Sequence, residues 1–312
     1  MKIIDIVNAS MKFGNVTALE DLTLSIDEGE VLGLFGHNGA GKTTTMKLIL
    51  GLLSPSAGKV SVFGHTPYSQ SFSQYRFKLG FLPENVSFYP QLTGREILHY
   101  FARLKKVDLK KSDQLLDEVG LSSACNRKVK TYSKGMKQRL GLAQAILTEP
   151  KLLLLDEPTV GLDPIATQDF YGMVDRLRND GCAVILCSHV LPGVEKHINR
   201  AAILGGGKLQ ALGSLSELRD QASLPMTIDV HGMMDREKLC RRIDDYVMSA
   251  NAINNESVRI KTVQSEKLSL LKEILNHPGV ADIEIHPASL EDVYRHFVSA
   301  NVQMQSHMEG AR

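Results

Sequence analysis

Residues 31–45 read VLGLFGHNGAGKTTT. An apolar run, Val31 to Phe35, leads into Gly36-His37-Asn38-Gly39-Ala40-Gly41-Lys42-Thr43, which has the spacing G-x-x-x-x-G-K-[ST] between a strand and a helix. The glycines let the backbone curl until successive N–H groups point into one concavity. A helix opening near Lys42 adds roughly half a positive charge at its N-terminus. The stretch therefore predicts an α/β fold with a phosphate cradle built from Gly36, Asn38, Gly39, Ala40, Gly41, Thr43 and Thr44. Lys42 is placed to reach the β- and γ-phosphates of a nucleotide, and the Thr43 hydroxyl to sit on Mg²⁺. A chance glycine-rich turn would also fit the spacing; the partners found further along the chain decide against it.

The length, 312 residues, suggests about two domains. Hydrophobic residues at 43% and charged residues at 23% are ordinary for a globular chain. A net charge of +1 gives no electrostatic footprint for nucleic acid or an acidic membrane surface, so no nucleic-acid partner is expected. No apolar run approaches the roughly 18 residues of a membrane span, and the opening MKIIDIVNAS is not a signal peptide, so a cytosolic location is expected. Cys125, Cys182, Cys187 and Cys240 form no CxxC pair and read as reduced structural thiols.

Ahead of the phosphate loop, residues 2–7 and about 18–26 alternate like half-buried strands. Phe13 stands on a turn between them, where it could stack on an adenine or plug the core. Past the loop helix, Leu79–Leu82 is a short strand running into Pro83-Glu84-Asn85, and from about 90 to 148 the periodicity is helical. Within that region Ser133 is well placed as a helix N-cap. Lys151-Leu152-Leu153-Leu154-Leu155-Asp156-Glu157 reads as a buried parallel strand ending in two acids. Buried carboxylates are costly unless they face a cation or a polar cleft. Asp156 is therefore placed to hold Mg²⁺, and Glu157 to orient and deprotonate an attacking water. Gly161-Leu162-Asp163-Pro164 is a turn before another helix. Ala183–Cys187 is the next core strand, and it delivers Ser188-His189 to the carboxyl edge of the sheet, where such folds bind ligands. Residues 222–300 form a separate unit in which 227–230, 257–263 and 282–286 alternate like strands and 235–248, 265–276 and 289–299 carry helical periodicity. From 301 the polar tail is expected to fray. Met304, His307 and Met308 lie in that tail, and a disordered tail accounts for them better than a metal site does.

Five stations in fixed order, namely the phosphate loop, Pro83-Glu84, Ser133-x-Gly135, the four-leucine acid strand and Ser188-His189, resemble the ATPase subunits of ABC transporters. The resemblance is dense over residues 1 to about 215. It implies a P-loop ATPase core at 1–218, with a RecA-like mixed sheet, an antiparallel β subdomain and a helical subdomain at about 85–148, followed by a small α/β accessory domain at 222–300 and a flexible tail at 301–312. In that family two subunits sandwich two ATP molecules head to tail. By position, Ser133 and Gly135 would meet the γ-phosphate held by the opposite subunit's Lys42. Asp163 would report across the dimer, His189 would sense the γ-phosphate, and Phe13 would stack on adenine. ATP and Mg²⁺ are the implied cofactors, with Thr43, Asp156 and Glu84 as metal contacts and Lys42, Glu84, Glu157 and His189 as the catalytic set.

Two departures are clear. The signature reads Tyr132-Ser133-Lys134-Gly135-Met136 in place of the usual Leu-Ser-Gly-Gly-Gln, and the linker glutamine is Glu84. Both occur among ABC-2 type exporters, whose closing helix Ser289–Tyr294 also resembles. The runs Gly36–Gly39, Phe81–Pro90 and Ser188–Glu195 further resemble the NosF type within that group, the ATPases of the NosDFY copper-processing systems that serve nitrous oxide reductase. That likeness implies a NosY-like membrane permease, a NosD-like periplasmic repeat protein acting through it, and a peripheral position on the cytoplasmic face of the inner membrane. The competing expectation is an ATPase for an ABC-2 exporter of a drug, lipid or glycan. A regulator that binds ATP without turnover is disfavoured by the intact Lys42, Asp156, Glu157 and His189. A soluble ABC protein acting on ribosomes or DNA usually joins two cassettes or inserts long coiled coils, and neither is present in the sequence.

Overall fold

The computed structural model describes residues 1–232, 236–254, 256–277 and 279–309. They form two compact units, Met1–Leu212 and Gly213–Arg312, dividing six residues earlier than the boundary expected at 218.

In the first unit, β1 (Lys2–Phe13) and β2 (Val16–Asp27) form a long hairpin, and β4 (Ala57–Val62) pairs with the other edge of β1. All three strands are antiparallel, and both hairpin strands run longer than their sequence pattern suggested. The second sheet has six strands in the order β5-β6-β7-β3-β8-β9. Its members are β3 (Val31–Phe35), β5 (Leu79–Leu82), β6 (Leu152–Asp156), β7 (Ala183–Cys187), β8 (Arg200–Gly205) and β9 (Lys208–Gly213). The pairings β5–β6, β6–β7, β7–β3 and β3–β8 are parallel. Leu152 to Leu155 are fully buried, as a central parallel strand covered on both faces requires. Each such leucine contributes about 1.5–3 kcal/mol through burial.

Five helices complete the unit: α1 (Lys42–Ile49), α2 (Gly94–Lys105), α3 (Leu109–Glu118), α4 (Lys134–Ile146) and α5 (Pro164–Asn179). Their starts are chemically specified. Thr93 and Glu96 make a reciprocal capping box on α2, Asp108 caps α3, Ser133 caps α4, and Asp163 caps α5 with Pro164 at its first position. Helices α2, α3 and α4 follow one another within residues 94–146.

The second unit opens with α6 (Leu215–Gln221), itself closed by a Ser214/Glu217 capping box. Then follow β10 (Met226–His231), α7 (Arg236–Ile243), β11 (Ser249–Asn254), β12 (Ser257–Thr262), α8 (Lys267–Leu275) and β13 (Asp282–His286). The order βαββαβ, with an antiparallel sheet β11-β12-β10-β13, is the ferredoxin-like arrangement. Ile228, Val230, Ile260, Leu239, Leu270 and Ile274 form its buried core. Strand β11 escaped the sequence reading because Ser-Ala-Asn-Ala-Ile-Asn carries weak β-propensity. The closing helix α9 runs from Leu290 to Glu309, through most of the stretch expected to fray, while residues 310–312 lie outside the described residues. The side chains of Cys240, Met304, His307 and Met308 also lie outside them. Cys125, Cys182 and Cys187 are buried free thiols.

Candidate functional site

Strand β3 lies between β7 and β8, with β6 on the far side of β7. The phosphate loop, the acid pair and His189 thus leave adjacent strands at the same carboxyl edge, although 114 to 153 residues separate the acids and His189 from Lys42 or Gly36 along the chain. Two loop glycines are fixed by crowding. A Cβ on Gly36 would lie 2.7 Å from the Leu204 carbonyl oxygen and 2.7 Å from Ala40 Cβ. A Cβ on Gly41, where φ is +108°, would lie 2.6 Å from Leu19 Cδ2. Gly39 also has positive φ, +84°, but faces open space. Lys42 is buried, and its ammonium donates to the carbonyls of Gly36 at 2.5 Å and His37 at 3.3 Å. The Thr45 hydroxyl turns back onto the Gly41 carbonyl at 3.0 Å. Asn38, Gly39 and Thr43 are exposed, Thr44 is half-buried and Ala40 is buried.

Asp156 ends β6 in register with Cys187, and both it and Glu157 are buried. Burial pushes the Asp156 carboxyl up, and the charges of Glu157 and Glu84 push it further, while Lys42 opposes them. Three carboxylates therefore act on one locality with one cation against them. Glu157 is a non-glycine residue with φ +49°, a left-handed conformation that costs about 1–3 kcal/mol and persists only where the surroundings enforce it. Its N–H donates to the Cys187 carbonyl at 3.0 Å. Its Oε2 accepts the His189 backbone N–H at 3.2 Å and lies 2.8 Å from His189 Nδ1. The histidine ring is more than half exposed, so it links the buried carboxylate to the open cleft. Glu84 is exposed on the linker after β5.

Among the described residues no group of three or more His, Cys, Asp or Glu side chains could hold a metal ion unaided. Asp156, with Glu84 close enough to act on its charge, offers the one or two carboxylates that Mg²⁺ takes from a protein while keeping water and phosphate oxygens.

The signature forms a second locality. Ser133 is exposed, and its hydroxyl accepts the Met136 N–H at 3.2 Å. A Cβ on Gly135 would lie 3.1 Å from the Gly161 carbonyl, so the signature packs on the turn leading to Asp163. The Asp163 carboxylate accepts the Ala166 N–H at 2.8 Å, a capping role invisible in its spacing alone. Phe13 pairs with Val16 at the tip of the β1–β2 hairpin and is 47% exposed, which excludes the core-plug alternative. Sequence reasoning missed an aromatic cleft of about 310 Å³ between the Glu84 linker and α2, lined by Phe88, Tyr89, Pro90, Ile97, Tyr100 and Phe101. Its signal was the pair of aromatic doublets, Phe88-Tyr89 and Tyr100-Phe101, with Tyr89 73% and Tyr100 55% exposed.

Fold and site define a P-loop nucleotide-binding ATPase. The family model for ABC transporters matches residues 19–160. An uncharacterized ABC transporter ATP-binding protein of Bacillus subtilis is 42% identical over 73% of this chain and 74% of its own length. The bacitracin transport ATP-binding protein of Enterococcus faecalis is 34% identical over 82% of this chain and 89% of its own length. A solved dimeric ATP-binding cassette bound to ADP and Pi superposes with a TM-score of 0.63 at 25% identity, covering 68% of this chain and 98% of the cassette. The chain belongs to the ATP-binding subunits of ABC transporters, a family of cassettes that bind and hydrolyse ATP. Among the described residues no helix is long and apolar enough to cross a membrane.

Proposed function

We propose that this chain powers an ABC-2 type exporter as a head-to-tail homodimer, with a separate membrane permease seated on the aromatic cleft. The observation that carries the catalytic half is the buried Glu157 carboxylate held at 2.8 Å by His189, beside Asp156. ATP enters with its adenine against Phe13 and its phosphates on the N–H groups of residues 36–44. Lys42 exchanges its two carbonyl partners for phosphate oxygens, a stronger charge-assisted contact. Mg²⁺ held by Thr43, Asp156 and Glu84 would neutralise phosphate charge. Phosphoryl transfer to water then rests on positioning and electrostatics. Glu157 takes the water proton, and His189 fixes the carboxylate and touches the γ-phosphate. The partner's Ser133 and Gly135 supply contacts that exist only in the closed dimer, so ATP favours closure and hydrolysis releases it.

The exporter reading for a drug, with bacitracin-like peptides first, is favoured by the Enterococcus faecalis relative, whose match extends over most of both chains. The second reading, a NosF-like role with NosY- and NosD-like partners in copper-centre assembly, rests on the three sequence runs Gly36–Gly39, Phe81–Pro90 and Ser188–Glu195. Deleting the gene in the native host separates them. The exporter reading expects heightened sensitivity to bacitracin-class peptides, restored by wild type and not by Glu157→Gln. Unchanged resistance together with lost copper-dependent nitrous oxide reduction would transfer the assignment to the second reading.

A further inference from the structure

The aromatic cleft and the signature are at least 31 residues apart in sequence, yet backbone hydrogen bonds stitch the segments between them together. Val129 N–H donates to the Leu92 carbonyl at 2.8 Å, Lys130 N–H to Pro90 at 3.0 Å, and Arg95 N–H to Cys125 at 2.9 Å. Thr93 and Lys128 form an isolated antiparallel bridge between the same segments. The seam ends at Tyr132, whose ring is buried and whose hydroxyl donates to the Ala124 carbonyl at 2.7 Å. That hydroxyl occupies the space a side chain would need at Gly94, where a Cβ would lie 2.3 Å from it. Gly94 opens α2, the helix that carries the cleft residues Ile97, Tyr100 and Phe101. The residue after Tyr132 is Ser133, the N-cap of α4.

We propose that Tyr132 is a positioning residue: its hydroxyl, locked between Gly94 and the Ala124 carbonyl, ties the signature serine to the aromatic cleft so that the two move as one body. The leucine usual at this place fills space but donates no hydrogen bond, so it would leave the Ala124 carbonyl without this partner. The contact is two-sided, since glycine at 94 is what makes room for the phenol. Burial raises the phenol's pKa, so it remains a donor throughout the neutral range. Docking at the cleft is thereby transmitted to Ser133 through a short, stiff path and not through a flexible loop.

The inference rests on the proposed head-to-tail dimer, and the test keeps the two separable. In the full chain carrying Glu157→Gln, ATP-dependent dimerisation is followed by sedimentation, monomer affinity by a fluorescent ATP analogue, and local opening by hydrogen exchange at the Arg95, Val129 and Lys130 amides. Losing one neutral hydrogen bond, about 0.5–1.5 kcal/mol, corresponds to a change of roughly two- to tenfold. Tyr132→Phe is expected to weaken dimerisation and speed exchange at those amides by about that factor, with monomer affinity for the analogue within about twofold. Gly94→Ala should act in the same direction more strongly. Adding Tyr132→Phe to it should restore part of the loss, because the clashing oxygen is gone. Unchanged dimerisation and unchanged exchange in Tyr132→Phe would overturn the inference, as would a loss of monomer affinity of equal size. If the protein with Tyr132 intact fails to dimerise on ATP, the dimer falls, and exchange at the three amides alone decides the role of Tyr132.

Discussion

Glu157→Gln isolates the proton acceptor from everything else Glu157 does. The carboxamide is nearly isosteric, and its oxygen can still accept from the His189 N–H and Nδ1–H at the positions now occupied by Oε2. The turn after β6 and the nucleotide cradle should therefore persist, and ATP affinity should stay within about threefold. What disappears is the base, a role typically worth about 10²–10⁴ in rate. At about 1.36 kcal/mol per tenfold, that is roughly 2.7–5.4 kcal/mol on the barrier. A second consequence is electrostatic. The Glu157 charge is one cause of the raised Asp156 pKa. A carboxyl whose folded pKa is raised binds its proton more readily folded than unfolded, so stability falls as pH rises from its ordinary value toward the raised one and levels off above it. Removing the Glu157 charge shrinks that slope. Single-turnover phosphate release, with thermal unfolding scanned upward from about pH 4, reads both effects. Turnover within about threefold of wild type would refute the assignment of the base, and a pH slope steeper than wild type would refute the electrostatic argument.

Three further outcomes follow from the same geometry. His189→Ala should slow turnover by at least about tenfold, yet lower it little further when added to Glu157→Gln, since the two side chains act as one unit; additive losses in that cycle would contradict it. Gly41→Ala should reduce ATP binding far more than Gly39→Ala, measured by calorimetry, because it meets Leu19 as well as an unfavourable φ, whereas position 39 suffers only the φ penalty of about 1–2 kcal/mol. In the second unit, Asp229 is buried against a two-pronged hydrogen bond from Arg259 at 2.8 and 2.6 Å, which holds its carboxyl below the usual range. That stability is present above the ordinary Asp value and lost as pH falls through the lowered one. Asp229→Asn should lower stability at neutral pH, the half-exposed guanidinium limiting the loss, and should flatten the acid limb of the unfolding curve.

Spacing and periodicity were enough to place the phosphate loop and the acid strand in the sequence, and the resemblance those motifs carry pointed to an ATPase. The phosphate loop was legible because glycine spacing, a preceding apolar strand and Lys42-Thr43 are local requirements of phosphate binding. The acid strand was legible because four consecutive leucines ending in Asp156-Glu157 have few other uses. Most elements of the second unit were legible for the same local reason, and β11 was not, since Ala and Asn pair there only because β12 lies alongside. The tertiary structure decided what depends on neighbours distant in sequence. It set Phe13 out on a hairpin tip, placed His189 on the Glu157 carboxylate, folded Lys42 onto its own loop and bent Glu157 into a left-handed turn. It also packed Gly135 against Gly161, and filled the space at Gly94 with the hydroxyl of Tyr132. Such contacts leave no period and no motif in the chain, because the residues that make them are brought together by strand order and helix packing alone.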